Sequence, residues 1–458
     1  MIVYNKTKKE FLDDVFYGSI DDQINASFVK ETGHRTGKSE QKAWRESMNY
    51  MNKVMLDTKI PIDVGVAIEY HIPLTTKRID FIITGKNEFN KNAAIIIELK
   101  QWSEGISVTD KDGVVNTTFF GDVPHPSYQA WSYATLLYDY NSSIEDLDVL
   151  LKPCAFLHNY TDNNVILNNF YQHHINEAPV FFKADASKLQ DFIKRFVKYG
   201  DKSNIIYYID QGKIRPSKSL ADNLSSMLEG KREFVLVDDQ KVVYETSLKL
   251  ANESSETSKN VFIVEGGPGT GKSIVAINLL VEFTRRGYVT QYVTKNSAPR
   301  EVYQNKLSGK FTKTRISNLF RSSGSYYDIL PNTFDSLIVH EAHRLNSKSG
   351  MFSHLGENQV KELVNASKLC IFFIDEDQRV TLKDIGTKSE IINWALALGA
   401  KITTLKLSSQ FRCNGSDGYL AWIDNVLQIR ETANKSLEEI NYDVKVFDNP
   451  SELHKKII

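Results

Sequence analysis

The stretch that most constrains this chain is VFIVEGGPGTGKSIVAINLL, residues 261–280. Its four opening apolar residues form the signature of a short buried strand. Gly266, Gly267, Pro268, Gly269, Thr270 and Gly271 follow, and Lys272 and Ser273 then lead into an apolar helical run. Glycine lacks a Cβ, so backbone N–H groups in such a loop can wrap around a polyphosphate. Lys272 is spaced to reach β- and γ-phosphates and Ser273 to hold Mg²⁺, while the helix N-terminus adds a dipole that favours anions. The pattern G-x-x-x-x-G-K-S is complete and sits between a strand and a helix. Binding of a nucleoside triphosphate such as ATP, with Mg²⁺, is the expectation.

A chain of 458 residues exceeds what one hydrophobic core serves, so two or three domains are expected. Apolar content of 41% and charged content of 25% are those of an ordinary globular protein. The net charge of −1 means that any nucleic-acid contact must come from local basic patches. Cys154, Cys370 and Cys413 have no metal or disulfide spacing, which fits a reducing cytoplasm. The start, MIVYNKTKKEFLDDV, has no uninterrupted apolar core and reads as no signal peptide. No apolar run approaches the roughly 20 residues that cross a bilayer. No membrane partner is expected.

Along the first third, Ser39 reads as the N-cap of a helix over SEQKAWRESMNYMNKVML, which Pro61 terminates. Two strands with a turn follow in VGVAIEYHIPLTTKRIDFIITG, then the strand AAIIIELKQW. Asp80 lies in the alternating run RIDFII, and Glu98 and Lys100 end AIIIELK. Residues two apart share a strand face, so Glu98 and Lys100 point the same way, and an antiparallel neighbour brings Asp80 beside them. Two carboxylates would bind one or two divalent cations, Mg²⁺ or Mn²⁺, with an ammonium near the attacking water, a set suited to phosphodiester hydrolysis.

This D…E-x-K pattern resembles the PD-(D/E)XK nucleases. That resemblance implies a further metal-binding acid on the preceding helix, Glu40 ahead of Glu46. Gln129 and Tyr133 in HPSYQAWSYATLLYDY form Q-x-x-x-Y, an i,i+4 pair on one helix face. It resembles the RecB-like branch of those nucleases, where the helix lines the active site and contacts substrate. His34 is a candidate extra ligand. Further strands in VLLKPCAFLHNY and NEAPVFFKAD, and a helix over SKLQDFIKRFVKYG, complete a unit ending near residue 200.

The second unit spans 201–458. Phe234 and Gln240 in REFVLVDDQKVV resemble the Q motif of superfamily-1 helicases, in which an aromatic stacks on adenine and a glutamine reads its edge. Thr294, Lys295 and Asn296 stand where that family contacts the DNA backbone. In FDSLIVHEAHRL, Glu341 corresponds to the general base that activates water for attack on the γ-phosphate. His340 departs from the family's aspartate, and imidazole is a poor Mg²⁺ ligand, so Asp335 or Glu341 would compensate or hydrolysis is weak. Gln378, beside Asp375 in FFIDEDQRV, matches the γ-phosphate sensor. Gln410 and Arg412 in SSQFRCNGSDGYL match motif IV, whose arginine acts as a finger.

The resemblance covers roughly residues 215–458. It includes an uncharacterised bacterial helicase family with the strings FFIDEDQRV and QFRCNGSDGYL, and with VDEAHRL where this chain has VHEAHRL. Joined to the first unit, the layout resembles bacterial nuclease–helicase immunity proteins. The expected fold class is α/β. It comprises a PD-(D/E)XK nuclease fold, a mixed sheet flanked by helices, followed by a RecA-like P-loop domain with a parallel sheet. The second RecA-like lobe is expected to be mostly missing, because some 50 residues after motif IV cannot form a domain of about 100 or more.

The function so implied is metal-dependent DNA cleavage coupled to an ATP-driven translocase in anti-phage defence. The expected partners are DNA, single-stranded or with ends, and phage DNA or its single-strand-binding protein. An oligomer is left open. Two other classes stand beside this one: an ATP-gated nuclease whose ATPase domain is a switch, and a DNA-binding clamp with an inactive nuclease site.

Overall fold

The computed structural model describes residues 2–32, 37–72, 75, 77–162, 164–202, 204–212, 220–231, 233–350, 354–409, 417–429 and 444–457. In chain order the strands are β1 (Tyr4–Thr7), β2 (Gly65–His71), β3 (Arg78–Lys86), β4 (Asn92–Lys100), β5 (Ile106–Val108), β6 (Val114–Thr117), β7 (Gly121–Pro124), β8 (Leu150–Leu157) and β9 (Val180–Phe182). They continue with β10 (Asn260–Gly266), β11 (Thr290–Val293), β12 (Phe320–Arg321), β13 (Phe334–Val339), β14 (Ser367–Ile374) and β15 (Lys401–Leu407). Four helices matter most: α1 (Lys38–Met55), α2 (Pro126–Tyr140), α3 (Asp239–Glu253) and α4 (Lys272–Arg285).

The first sheet has the order β1-β2-β3-β4-β8-β9 and is mixed, antiparallel through β4 and parallel from β4 to β9. Side chains alternate across it. Phe81, Ile83, Ile95 and Ile97 join Met48, Met51 and Val54 of α1 in one core. Ile82, Ala94 and Ile96 join Tyr133 and Leu137 of α2 in the other. Glu69 interrupts the alternation with a left-handed φ of 53°. Ile68 therefore enters the α1 core and Tyr70 the α2 core, although a regular strand would put both on one face. The N-cap of α1 is Gly37, which offers no side-chain bond, and the expected cap Ser39 lies inside the helix. The helix also stops at Met55, short of Pro61, because Leu56 already closes its last turn.

The second sheet, order β12-β11-β13-β14-β10-β15, is parallel throughout. Its inner strands β11, β13, β14 and β10 are largely buried on both sides, as parallel sheets require. Phe262, Ile338, Ile371 and Phe373 pack under α4, while Ile263, Leu337, Val339 and Phe372 pack under the helices on the opposite face. A third sheet, β5-β6-β7, is a small antiparallel meander beside α3. The fold class is thus α/β, with a mixed sheet followed by a parallel P-loop sheet. Cys154 lies in β8 and Cys370 in β14, both buried thiols. Among the described residues no helix is long and apolar enough to cross a membrane.

The loops at the C-terminal end of the parallel sheet are tied together by Asp384, whose side chain is fully buried. It accepts from Lys295 Nζ at 3.1 Å and from the Val380 and Thr381 amides at 3.0 and 2.9 Å, and pairs with Arg344 at 3.1 Å. Burial pushes its pKa up, but the amides and Lys295 outweigh this and hold it well below the usual carboxylate range. A depressed carboxylate contributes stability above its unfolded value and loses it as the pH falls through the folded one. Asp384→Asn is therefore expected to cost about 2 kcal/mol at neutral pH. In urea titrations the gap from wild type should shrink as the pH drops below about 4.

Candidate functional sites

The register of β3 with β4 pairs Phe81 with Ile97, so one step further Asp80 stands opposite Glu98. Asp80 Oδ2 accepts the Leu99 amide at 2.7 Å, which fixes this carboxylate against the end of β4. Lys100 Nζ donates to Glu98 Oε1 at 2.8 Å, and Glu98 is 4% exposed. Glu98 Oε2 is buried without a hydrogen-bond partner. Burial first raises the pKa of both acids, helped at Asp80 by the Glu69 charge and at Glu98 by the Asp80 charge. A half-buried and a buried carboxylate side by side, the second with an orphaned oxygen, are a donor set suited to a divalent cation.

Across this cluster, on α2, Gln129 Nε2 donates to the Tyr133 hydroxyl at 3.0 Å. Tyr133 is 3% exposed and close enough to Glu98 for that carboxylate to help raise the phenol's pKa, after burial and Asp238. The structure thus brings Asp80, Glu98, Lys100, Gln129 and Tyr133 to one region of the sheet. Glu40 is placed differently: it pairs with Arg78 at 3.0 Å on the rim. The same guanidinium reaches Glu69 at 2.9 Å, and Trp44 Nε1 donates to Glu69 at 2.8 Å. Glu69 is buried and its charge acts on Asp80. The sequence reading missed this acid, since the strand AIEYH carries no mark of the backbone reversal that turns it inward. His34 lies outside the described residues.

At the head of the parallel sheet the phosphate loop follows β10. Gly269 and Gly271 have φ of 79° and 87°. A Cβ on Gly271 would stand 2.1 Å from Gln240 Nε2, and one on Gly266 2.7 Å from Thr270 Oγ1. Only glycine allows this loop, and the cradle fits a polyphosphate. Lys272 Nζ donates to the Gly266 and Gly267 carbonyls at 2.5 and 2.8 Å, and Thr270 Oγ1 to the Gly267 carbonyl at 2.9 Å. Pro268 completes the loop. Gln240, from the start of α3, donates to the Thr270 carbonyl at 3.1 Å.

Ser273 Oγ lies 3.0 Å from His340 Nε2. Burial lowers the His340 pKa to about 4, so the ring is neutral at pH 7, and Tyr292 stacks on it. Glu341 takes the left-handed φ of 57° and lies 3.1 Å from His343 Nε2. Burial pushes its pKa up, yet the His343 bond and nearby positive charge hold it at about 2. It is an ionised carboxylate beside the loop. Asp335 does not reach this site: at the opposite end of β13 it binds Lys368 and the Val289 amide. The carboxylate that does approach Lys272, at 3.8 Å, is Asp375 at the end of β14. Its Oδ2 is a buried oxygen without a hydrogen-bond partner. β14 stands between β10 and β13, which delivers Asp375 to the loop.

Gln378 sits in the short 3-10 turn after Asp375. Phe234 packs into the core with Leu236 and lines a cavity beside Arg285 and Arg286, away from the phosphate loop. Lys295 is engaged by Asp384 and Asn346. Gln410 and Arg412 lie outside the described residues.

Residues 259–458, somewhat under half of the chain, match the family model described as Schlafen group 3, DNA/RNA helicase domain. No curated protein matches the chain. Among solved structures, one titled as a DNA replication initiation factor aligns at 16% identity with a TM-score of 0.23. That alignment covers 50% of this chain and 62% of the other, so this chain spans less than two thirds of that structure's length. By the family model alone, residues 259–458 are similar to a DNA/RNA helicase domain.

If the carboxylate cluster holds a cation, Mn²⁺ should raise the melting temperature of the wild type and leave that of Glu98→Gln unmoved. In chelator at pH 8 the same variant should melt above the wild type. A raised carboxyl pKa costs stability once the pH passes the unfolded value, and the amide removes that cost. Differential scanning fluorimetry with and without Mn²⁺ reads both effects.

Proposed function

We propose that this chain is a metal-dependent DNA nuclease whose cutting is coupled to its helicase-like ATPase half, and that it serves defence against phage. The observation that carries the reading is the set of Asp80, Glu98 and Lys100 on one sheet face, with the Gln129–Tyr133 pair across it. A bound Mg²⁺ or Mn²⁺ supplies charge neutralisation at the scissile phosphate. Asp80 and Glu98 would hold it, with Glu69 and Glu40, both paired with Arg78, as outer acids. The Lys100 ammonium, steered by Glu98, orients the attacking water. Gln129 and Tyr133 present hydrogen-bonding groups to the DNA strand.

In the ATPase half, Gly266 to Gly271 would enclose the phosphates and Lys272 would exchange its loop carbonyls for phosphate oxygens. Bound Mg²⁺ supplies charge neutralisation between the phosphates. Ser273, with Asp375 nearby, would hold it, and Glu341 would accept the proton of the attacking water. Gln378 would sense the γ-phosphate and Gln240 would contact the base; Gln410 and Arg412, outside the described residues, would act on the nucleotide as the motif IV resemblance implies. Single strands or DNA ends are the substrate class, and phage DNA or its single-strand-binding protein the target.

A second reading is favoured by His340. A neutral imidazole bonded to Ser273 replaces the carboxylate that would share the metal. An ATPase half that binds nucleotide and turns it over slowly would act as a switch gating the nuclease without unwinding. Cleavage of linear and circular single strands in Mn²⁺, with and without ATP, tests these readings. Lys100→Ala should lower the cutting rate about a hundredfold or more. Lys272→Ala should abolish nucleotide hydrolysis and any ATP effect on cutting. DNA binding without cleavage by the wild type would leave only the DNA-binding clamp.

His340→Asp restores the missing carboxylate beside Ser273. It is expected to raise the ATP turnover rate several-fold in a steady-state phosphate-release assay. An unchanged rate would assign the metal to Asp375.

A further inference from the structure

The connection into α3 touches both sites. Phe234 and Leu236 are buried in the core of the parallel-sheet half, whereas Val237, the next residue, is buried in the α2 core of the first sheet. Tyr128 of α2 donates its hydroxyl to the Leu236 carbonyl at 2.6 Å. Asp238 follows with φ 47° and ψ −114°, a backbone conformation that a non-glycine residue holds only under constraint. Its Oδ2 accepts the Tyr133 hydroxyl at 2.9 Å and pairs with Lys77 at 2.7 Å. Asp238 is 6% exposed, and its Oδ1 is buried without a hydrogen-bond partner. Two residues on, Gln240 accepts the Val237 amide through Oε1 at 3.2 Å and donates through Nε2 to the Thr270 carbonyl at 3.1 Å. From the phosphate loop to the α2 tyrosine, the path is Thr270, Gln240, Val237, then along the chain to Asp238, and Tyr133.

We propose that Asp238, supplied by the ATPase half, is a positioning residue of the cutting site. It orients Tyr133 toward Glu98 and makes that orientation respond to nucleotide in the phosphate loop. The inference rests on the nuclease reading and adds its regulation. The physical chain is short. Gln240 touches Gly271 so closely that a Cβ there would collide with it, so a nucleotide that shifts the loop must shift Gln240. Gln240 also holds the Val237 amide, and Val237 is clamped in the α2 core, so the motion has to be taken up at Asp238, the one strained link between them. The Asp238 charge acts on both Glu98 and Lys100, and a change in its distance alters the field at the cluster. The strain places the constraint at the junction, where backbone distortion is retained only if its surroundings enforce it.

The test uses the full chain with two readouts. The first is the rate of single-strand cleavage in Mn²⁺, with and without a non-hydrolysable ATP analogue at a concentration saturating for each protein. The second is amide hydrogen exchange over residues 126–140, with and without the same analogue. It needs no cleavage and therefore separates failure of the coupling from failure of the nuclease reading. In the wild type, the analogue should change the cleavage rate at least about fivefold and alter exchange in this helix. In Asp238→Asn, which keeps the left-handed tolerance and the shape, both responses should fall to less than twofold. Tyr133→Phe, which deletes only the hydroxyl, should do the same to the exchange response. An exchange pattern in 126–140 that ignores the analogue in the wild type, or a full response in both variants, overturns the proposal. If the wild type never cuts but its helix responds and Asp238→Asn abolishes that response, the coupling stands and the nuclease reading falls.

Discussion

Leu236 and Val237 are neighbours in the chain and belong to different hydrophobic cores. Each is almost fully buried, and removing such a side chain from water stabilises by about 1.5–3 kcal/mol, so neither half can drift from the other without exposing one of them. Polar contacts reinforce the same seam. Lys241 of α3 pairs with Asp112 at 2.9 Å and Glu245 at 2.8 Å, and Asp112 also meets His174 at 2.8 Å. Lys249 reaches Asp110 at 2.9 Å. Lys241 and Glu245 are buried, and Asp112 caps them from a half-exposed position; for the buried pair, losing one partner costs more than the pair contributes. The seam is a packed interface, and α3 serves both halves.

The two candidate sites solve opposite electrostatic problems. Around Glu98 the chain gathers like charges in a dry place and offers one ammonium in return, so the carboxylates are short of positive charge. Around Ser273 the usual anionic metal partner is replaced by a neutral ring, and negative charge is moved to Asp375 and Glu341. Imidazole suits softer divalent metals better than Mg²⁺, whereas the carboxylate cluster suits hard cations. A metal at either site would therefore be selected by separate first neighbours.

Much of this was legible in the sequence. The strand–loop–helix around residues 261–280 needs only local backbone rules, and the meeting of Asp80, Glu98 and Lys100 follows from period two and an antiparallel neighbour. The parallel sheet was implied by the resemblance to RecA-like helicase domains, with its apolar runs in agreement. What escaped depends on contacts remote in sequence. Glu69 turns inward through one reversed residue, Asp238 lies about a hundred positions from the tyrosine it holds, and Asp375 reaches Lys272 because β14 inserts beside β10. Asp335 looked available on its strand, yet strand direction carries it to the far end. The meander β5-β6-β7 and the edge strand β1 are short and mixed in pattern, and only pairing partners make them strands.

The cysteines have a practical corollary. Cys154 lies in the mixed sheet and Cys370 in the parallel one, and burial raises the pKa of each thiol. A thiol reagent reacts with either only when its own sheet opens, since the thiolate is the nucleophile. Each half thus carries an internal clock for its opening. Because the Leu236–Val237 step belongs to both cores, the two clocks are expected to keep common time wherever the seam holds and to separate where it is cut.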